Sequence, residues 1–273
     1  MLRSLHLRVV VLVAVTVAAL GGYWLWVEPH AQPVAYHNFA DQVTMLGVPH
    51  ALNVLSNAPF IVVGSAGVVF LCSARSCGAG VFLLSVERLP YWIYFIGLIG
   101  TGLGSMYYHA NPNNETLTWD RMFLAVTFMA LFTAMLMERV HLAARHLLTP
   151  LVLFGAGSVL YWQYTERIGA GDLRFYFAAQ FFPLLALSIM LLLYPPRYTG
   201  TADLVAMLLC YGLAKVLEIL DAQIYTGAGF VSGHTLKHLI AGAAAGLVLV
   251  MLWHRRPTPQ PDSVAPVLAP TTP

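Results

Sequence analysis

The sequence predicts an all-α polytopic membrane helix bundle, a seven-helix core preceded by one extra N-terminal helix. Three observations predict it. Of 273 residues, 59% are hydrophobic and 10% charged, whereas a soluble domain carries roughly 25% charged residues to face water. Mean hydropathy is +0.72. The apolar residues also gather into runs of about 20, the length a helix needs to cross a hydrocarbon core of ~30 Å. Ten-residue segments of alternating polarity are absent, which argues against a β-barrel. In lipid the backbone must satisfy its own hydrogen bonds, so such runs are read as helices.

The runs fall at 9–27, 50–72, 89–109, 120–138, 147–163, 175–194, 203–221 and 232–253. Turn-forming residues separate them: Pro29 and Pro33, Arg75 to Gly80, Asn111 to Asn114, Gly169 to Asp172, Pro195-Pro196, and Gly227 to Gly229. Residues 1–28 read as a transmembrane helix or uncleaved signal anchor and 29–254 as the seven-helix domain. Residues 255–273, rich in Pro and Thr, read as a disordered cytoplasmic tail. Arg3 and Arg8 ahead of the first run also fit a signal peptide. Trp24 and Trp26 behind it fit an interfacial anchor and favour retention.

Orientation follows the basic residues. With the N-terminus inside, Arg3, Arg8, Arg75, Arg88, Arg139, Arg145, Arg197, Arg255 and Arg256 are internal. Arg121, Arg167, Arg174, Lys215 and Lys237 then lie toward the outside. Both termini are thus expected in the cytoplasm of a bacterial-type inner membrane. No basic run resembles a nucleic-acid patch, and no obligate protein partner is implied. Cys72, Cys77 and Cys210 lack zinc-ribbon spacing and read as free thiols.

Polar and ionisable groups inside a span are costly and point to function. Three clusters qualify: Gly104-Ser105-Met106-Tyr107-Tyr108-His109, Trp119-Asp120-Arg121, and Ser232-Gly233-His234-Thr235-Leu236-Lys237-His238. All three are expected at the outer ends of their helices, at one depth. His234 and His238 are four apart and share a helix face, as do Ser105 and His109. Three imidazoles with an open fourth position suit a catalytic zinc, and His109 with the His234/His238 pair supplies that number. The blander reading of an interfacial histidine is a water or headgroup contact, and it is assigned to His30, His37 and His50. His6, His141, His146 and His254 read as solvated.

Gly97, Gly100, Gly102 and Gly104 lie in an apolar span with no strand before them, so a dinucleotide loop is excluded. They read as small residues that admit a neighbouring helix, expected to be the one bearing the histidine pair. Lys215, Glu218 and Asp221 are spaced for an ion pair across one turn. A transporter relay is the alternative for them, without an internal repeat to support it.

The pattern Ser105-x-x-x-His109, Asp120, then His234-x-x-x-His238 on the last helix resembles the alkaline ceramidase family. That family belongs to a wider group of seven-helix membrane hydrolases that includes the adiponectin-receptor-like proteins. Asn53-Val54-Leu55-Ser56-Asn57 is similar to the family's W-N-T-x-S-N segment, and the resemblance spans about residues 36 to 253. It implies a ceramidase-like core and a zinc-dependent hydrolase acting on a ceramide-like lipid amide. His109, His234 and His238 would be the zinc ligands, Asp120 the carboxylate working on the zinc-bound water, and Ser105 an oxyanion-stabilising hydroxyl. Calcium is a further cofactor in the family. Here Tyr36-His37-Asn38-Phe39-Ala40-Asp41 keeps one carboxylate, which leaves Asp41 as its candidate ligand, and His50 stands at an acidic position. Lys237 replaces a tryptophan of the eukaryotic motif, which bears on substrate identity. A non-catalytic receptor or sensor with a structural zinc, closed by Asp120 as fourth ligand, is the competing expectation.

Overall fold

Eight helices of 15 residues or more carry most of the chain in a computed structural model that describes residues 2–78 and 80–259. In chain order they and the shorter helices are α1 (Leu2–Trp26), α2 (Ala51–Leu55), α3 (Ala58–Cys72), α4 (Ala74–Cys77), α5 (Leu89–Ala110), α6 (Asn114–Met135), α7 (Leu148–Arg167), α8 (Arg174–Leu193), α9 (Thr201–Ile219), α10 (Asp221–Ala228) and α11 (Gly233–His254). Every run expected from the sequence is helical. Among the described residues six stretches are long and apolar enough to cross a membrane: His6–Trp26, Ala51–Cys72, Asn114–Val140, Leu142–Arg167, Arg174–Leu193 and Gly233–His254. The protein is an all-α integral membrane bundle.

Within the bundle α5 packs on α6 and α3, α6 on α7 and α8, and α11 on α9 and α3. Helix α1 lies outside these, against α8. Trp24 meets Phe175 edge-on at 4.7 Å, and the Arg174 guanidinium stacks over Trp24 at 4.7 Å. One apolar cluster includes Phe70, Leu71, Tyr91, Phe95, Met190 and Leu252, and a smaller one holds Phe39, Tyr108, Leu117, Trp162, Leu173 and Tyr176.

Several boundaries differ from expectation for local reasons. Helix α6 starts six residues before 120 because Asn113 caps it, its side chain accepting from Glu115 and Thr116 backbone N–H groups at 2.9 and 3.0 Å. The second run is two helices. Pro59, at the start of α3, has no N–H to continue the ladder, and the chain turns at Ser56-Asn57. The seventh run ends at Ile219, and Asp221 opens the separate helix α10.

The glycines of α5 do not bring it against α11, as expected. A Cβ on Gly97 would meet Thr127, and one on Gly100 would meet Phe123, both on α6, while one on Gly102 would meet Ile61 of α3. Helix α3 packs against both α5 and α11. The expected tail also begins too early. Arg255 is 3% exposed and donates to Glu138 Oε1 at 2.6 Å, and the Thr258 N–H donates to Arg197 at 2.9 Å. The remainder of that segment, 260–273, lies outside the described residues. The three cysteines are free thiols.

Candidate metal centre

The C-terminal end of α5 and the N-terminal end of α11 meet at one end of the bundle, and three imidazoles meet there with them. One ring nitrogen from each of His109, His234 and His238 lies within 4.8 Å of the others, and all three residues are buried. The ring centroids are 4.8, 4.8 and 4.7 Å apart. The His234/His238 pair arises from helical spacing, one turn apart on one face. His109 joins them through tertiary packing alone. Among the described residues this is the group able to hold a metal ion.

The surroundings fit a cation. His109 Nδ1 is buried with no hydrogen-bond partner. His238 Nδ1 lies 2.9 Å from the Ser56 hydroxyl and 3.3 Å from Asn57 Nδ2, which leaves Nε2 for a ligand bond. A donor to one ring nitrogen that fixes the other toward the metal is the usual outer-shell arrangement of metal-binding histidines. The break between α2 and α3 is what turns Ser56 and Asn57 onto this ring.

The first turn of α11 is pinned from two sides. Ser232 caps it, accepting from the Thr235 N–H at 3.1 Å. Asp221 Oδ1 accepts from the His234 N–H at 2.8 Å, and Oδ2 accepts from the Ala40 N–H at 2.9 Å. Asp221 therefore has no part in the Lys215/Glu218 pairing. Asn53 Oδ1 accepts from the Thr235 hydroxyl at 2.7 Å. Phe39 lies over the centre, its ring centroid 4.6 Å from those of both His109 and His234.

Ser105 and Asp120 stand beside the histidines. Ser105 on α5 and Asp120 on α6 approach each other at the wall of one cavity, with His238. Gly104 makes that approach feasible, since a Cβ there would lie 2.5 Å from the Trp119 carbonyl oxygen and 3.2 Å from the Asp120 nitrogen. Ser105, Asp120, Asn57, Lys237 and His238 face a cavity of about 480 Å3, lined elsewhere by apolar groups such as Leu98, Leu124, Phe128, Phe181 and Met207.

Lys237 and Lys215 share Glu218. Lys237 Nζ is 2.7 Å from Oε1, and Lys215 pairs with Oε2. Lys237 Nζ also lies 3.2 Å from His234 Nε2, so Nδ1 is the ring nitrogen of His234 left for a metal.

His37 and His50, read from the sequence as water or headgroup contacts, are bonded within the protein. His37 lies 2.9 Å from the Tyr108 hydroxyl and 3.0 Å from Asn114 Oδ1. His50, held in the left-handed region at φ 46°, contacts the Asp41 carbonyl at 2.7 Å. Asp41 is 1% exposed; its Oδ1 accepts from the Val43 N–H at 2.9 Å, and its Oδ2 has no hydrogen-bond partner.

No family model, curated protein or solved structure matches the chain. The chain is an integral membrane helix bundle with a buried three-histidine group able to hold a metal ion.

Proposed function

We propose that this protein is a zinc-dependent membrane amidohydrolase that cleaves the amide bond of a ceramide-like lipid, releasing a fatty acid and a long-chain amine. The convergence of three buried imidazoles beside Ser105 and Asp120, at the wall of an apolar cavity, carries the reading. His109, His234 and His238 would hold the zinc. When bound, zinc lowers the pKa of water from 15.7 to about 7 and polarises a carbonyl oxygen.

The rest is the work of the chain. Apolar cavity walls hold the acyl and amine chains while the amide reaches His238 and Asp120. Asp120 takes the proton of the attacking water as the C–O bond forms, then delivers it to the nitrogen as the C–N bond breaks, a role worth about 10²–10⁴-fold. Ser105 lines the same cavity and would turn its hydroxyl toward the developing oxyanion. A structural zinc would want a fourth protein ligand; Asp120 is not among the three converging groups, which favours the enzyme over the sensor. Calcium takes about six to eight oxygens, and Asp41 offers one unbonded carboxylate oxygen, so the proposed centre is zinc alone. The basic-residue asymmetry supports a site on the extracytoplasmic side of an inner membrane.

Purified protein should contain one zinc per chain and release fatty acid from a lipid extract, read by mass spectrometry. D120N should keep the zinc and release none. Full turnover by D120N would remove Asp120 from the mechanism, and a preparation that binds zinc but never hydrolyses would favour the sensor.

A further inference from the structure

The walls of the cavity carry an excess of positive charge. Arg121, Lys215 and Lys237 line it, against the carboxylates of Asp120 and Glu218. Glu218 is shared by both lysines, one on each oxygen. Arg121 takes part in none of the ion pairs among the described residues. It is 3% exposed; its Nη2 donates to Gln32 Oε1 at 2.5 Å, and its Nη1 has no hydrogen-bond partner. The rings of Trp162, Tyr176 and Tyr36 lie 4.4, 4.6 and 5.4 Å from the guanidinium carbon. Such rings offset part of a cation's charge but supply no acceptor along its N–H bonds. Placing three cations against two carboxylates within a membrane bundle is costly. A bound zinc would add to the excess. A neutral amide with hydroxyl groups does nothing to balance it.

We infer that the lipid this cavity accepts has an anionic polar end, a phosphate or carboxylate near the amide, and that Lys237 and Lys215 hold it while Arg121 adds its field. The amide in that statement rests on the proposed hydrolase; the charge preference rests on the cavity alone. Lys237 is placed to do this, because its ammonium stands beside His234 and lines the cavity next to His238. An acidic group there would take a second share of the two ammonium groups that Glu218 alone now pairs.

The test uses two matched pairs on the purified full-length protein in neutral detergent micelles. C16-ceramide 1-phosphate is compared with C16-ceramide, and N-palmitoylglycine with N-palmitoylethanolamine, so that the phosphate and carboxylate sources are read separately. Binding is followed by displacement of a fluorescent fatty amide, and hydrolysis by released palmitate. At least one acidic member should bind more tightly than its neutral partner by about tenfold or more, the worth of one charge-assisted hydrogen bond. K237M should shrink that ratio, and K237R should keep it. Equal or tighter binding of both neutral members overturns the inference, and this comparison on the unaltered protein stands even if K237M fails to fold. Preferential binding of the acidic lipids without cleavage leaves the charge inference intact and sinks the hydrolase. Cleavage of ceramide with no preference for the phosphate does the reverse.

Discussion

The Ser56 hydroxyl lies 2.9 Å from Nδ1 of His238, across 182 residues of sequence. The contact fixes which nitrogen of His238 faces the centre and restrains the ring. Removing such an outer-shell partner costs about 10–100-fold in metal affinity. S56A should therefore weaken zinc binding by that order in a competition titration against a chromophoric chelator, while the helical signal in circular dichroism stays at the wild-type level. Unchanged affinity would mean that Ser56 does not orient the ligand.

His37 offers a pH-dependent prediction. It lies in the segment before α2, outside the spans, and burial holds its imidazole below the ordinary value of 6.5, with the Arg121 charge acting in the same direction and the Asn114 hydrogen bond opposing. Between the lowered folded value and 6.5 the unfolded chain binds more protons than the folded one, so stability is present above 6.5 and declines as pH falls through that window. The metal-site histidines give a pH dependence of their own, so the informative quantity is the difference from H37Q. Wild-type Tm should fall more than that of H37Q between pH 7.5 and 5.5.

At the far end of the bundle Glu138 and Arg255 form an ion pair whose side chains are 7% and 0% exposed. Tyr91 also donates to Glu138 Oε1, at 2.8 Å. Breaking a buried pair by removing one partner strands the other charge and costs about 3–5 kcal/mol, whereas replacing both with apolar groups is often neutral. E138L alone should lower Tm strongly, and E138L/R255M should recover most of the loss. Zinc content should be unaffected in the double variant, because the pair sits at the end of α11 away from the histidines. Equal loss in single and double variants would mean that the pair contributes packing and no charge compensation.

Which parts of this molecule were legible in the sequence follows from the range of the interactions. Helix positions and the His234/His238 pair depend on local hydropathy and on 3.6-residue periodicity, and both can be read directly. The convergence of His109 on that pair was suggested by shared depth, but its partners were not. Phe39, Asp221 and Ser56 act through contacts between segments far apart in sequence, and no periodicity marks them. Asn53 to Asn57 stand out in the sequence only through a resemblance; the role of the segment depends on the break before Pro59, which an unbroken apolar run hides. In the sequence Arg121 reads as an orientation signal and Arg255 as part of a tail, since a single arginine reads the same whether it meets water or a buried carboxylate. The glycines of α5 signalled close packing correctly, though not against which helix, because a small-residue stripe carries no information about its partner.

Gly104 ties that packing to the site. A Cβ at this position would come within 2.5 Å of the Trp119 carbonyl oxygen and 3.2 Å of the Asp120 nitrogen. Both are backbone atoms of α6, so no side chain can swing aside, and α6 must move or tilt. Overpacking of this kind costs about 1–3 kcal/mol. The movement of α6 would carry Asp120 away from Ser105, while His109 stays with α5 against α3 and His234 and His238 stay with α11 against α9 and α3. G104A should thus keep its zinc and lose hydrolysis through kcat, because a misplaced proton carrier damages the chemical step more than binding. G100A makes the contrast: its Cβ would meet the Phe123 ring at 2.4 Å, so it presses on a half-buried side chain and not on the α6 backbone. Zinc content and palmitate release measured on the two variants side by side decide the matter. Loss of zinc from G104A, or equal loss of turnover in both, would show that the close approach of α5 and α6 supports the fold in general and does not position Asp120.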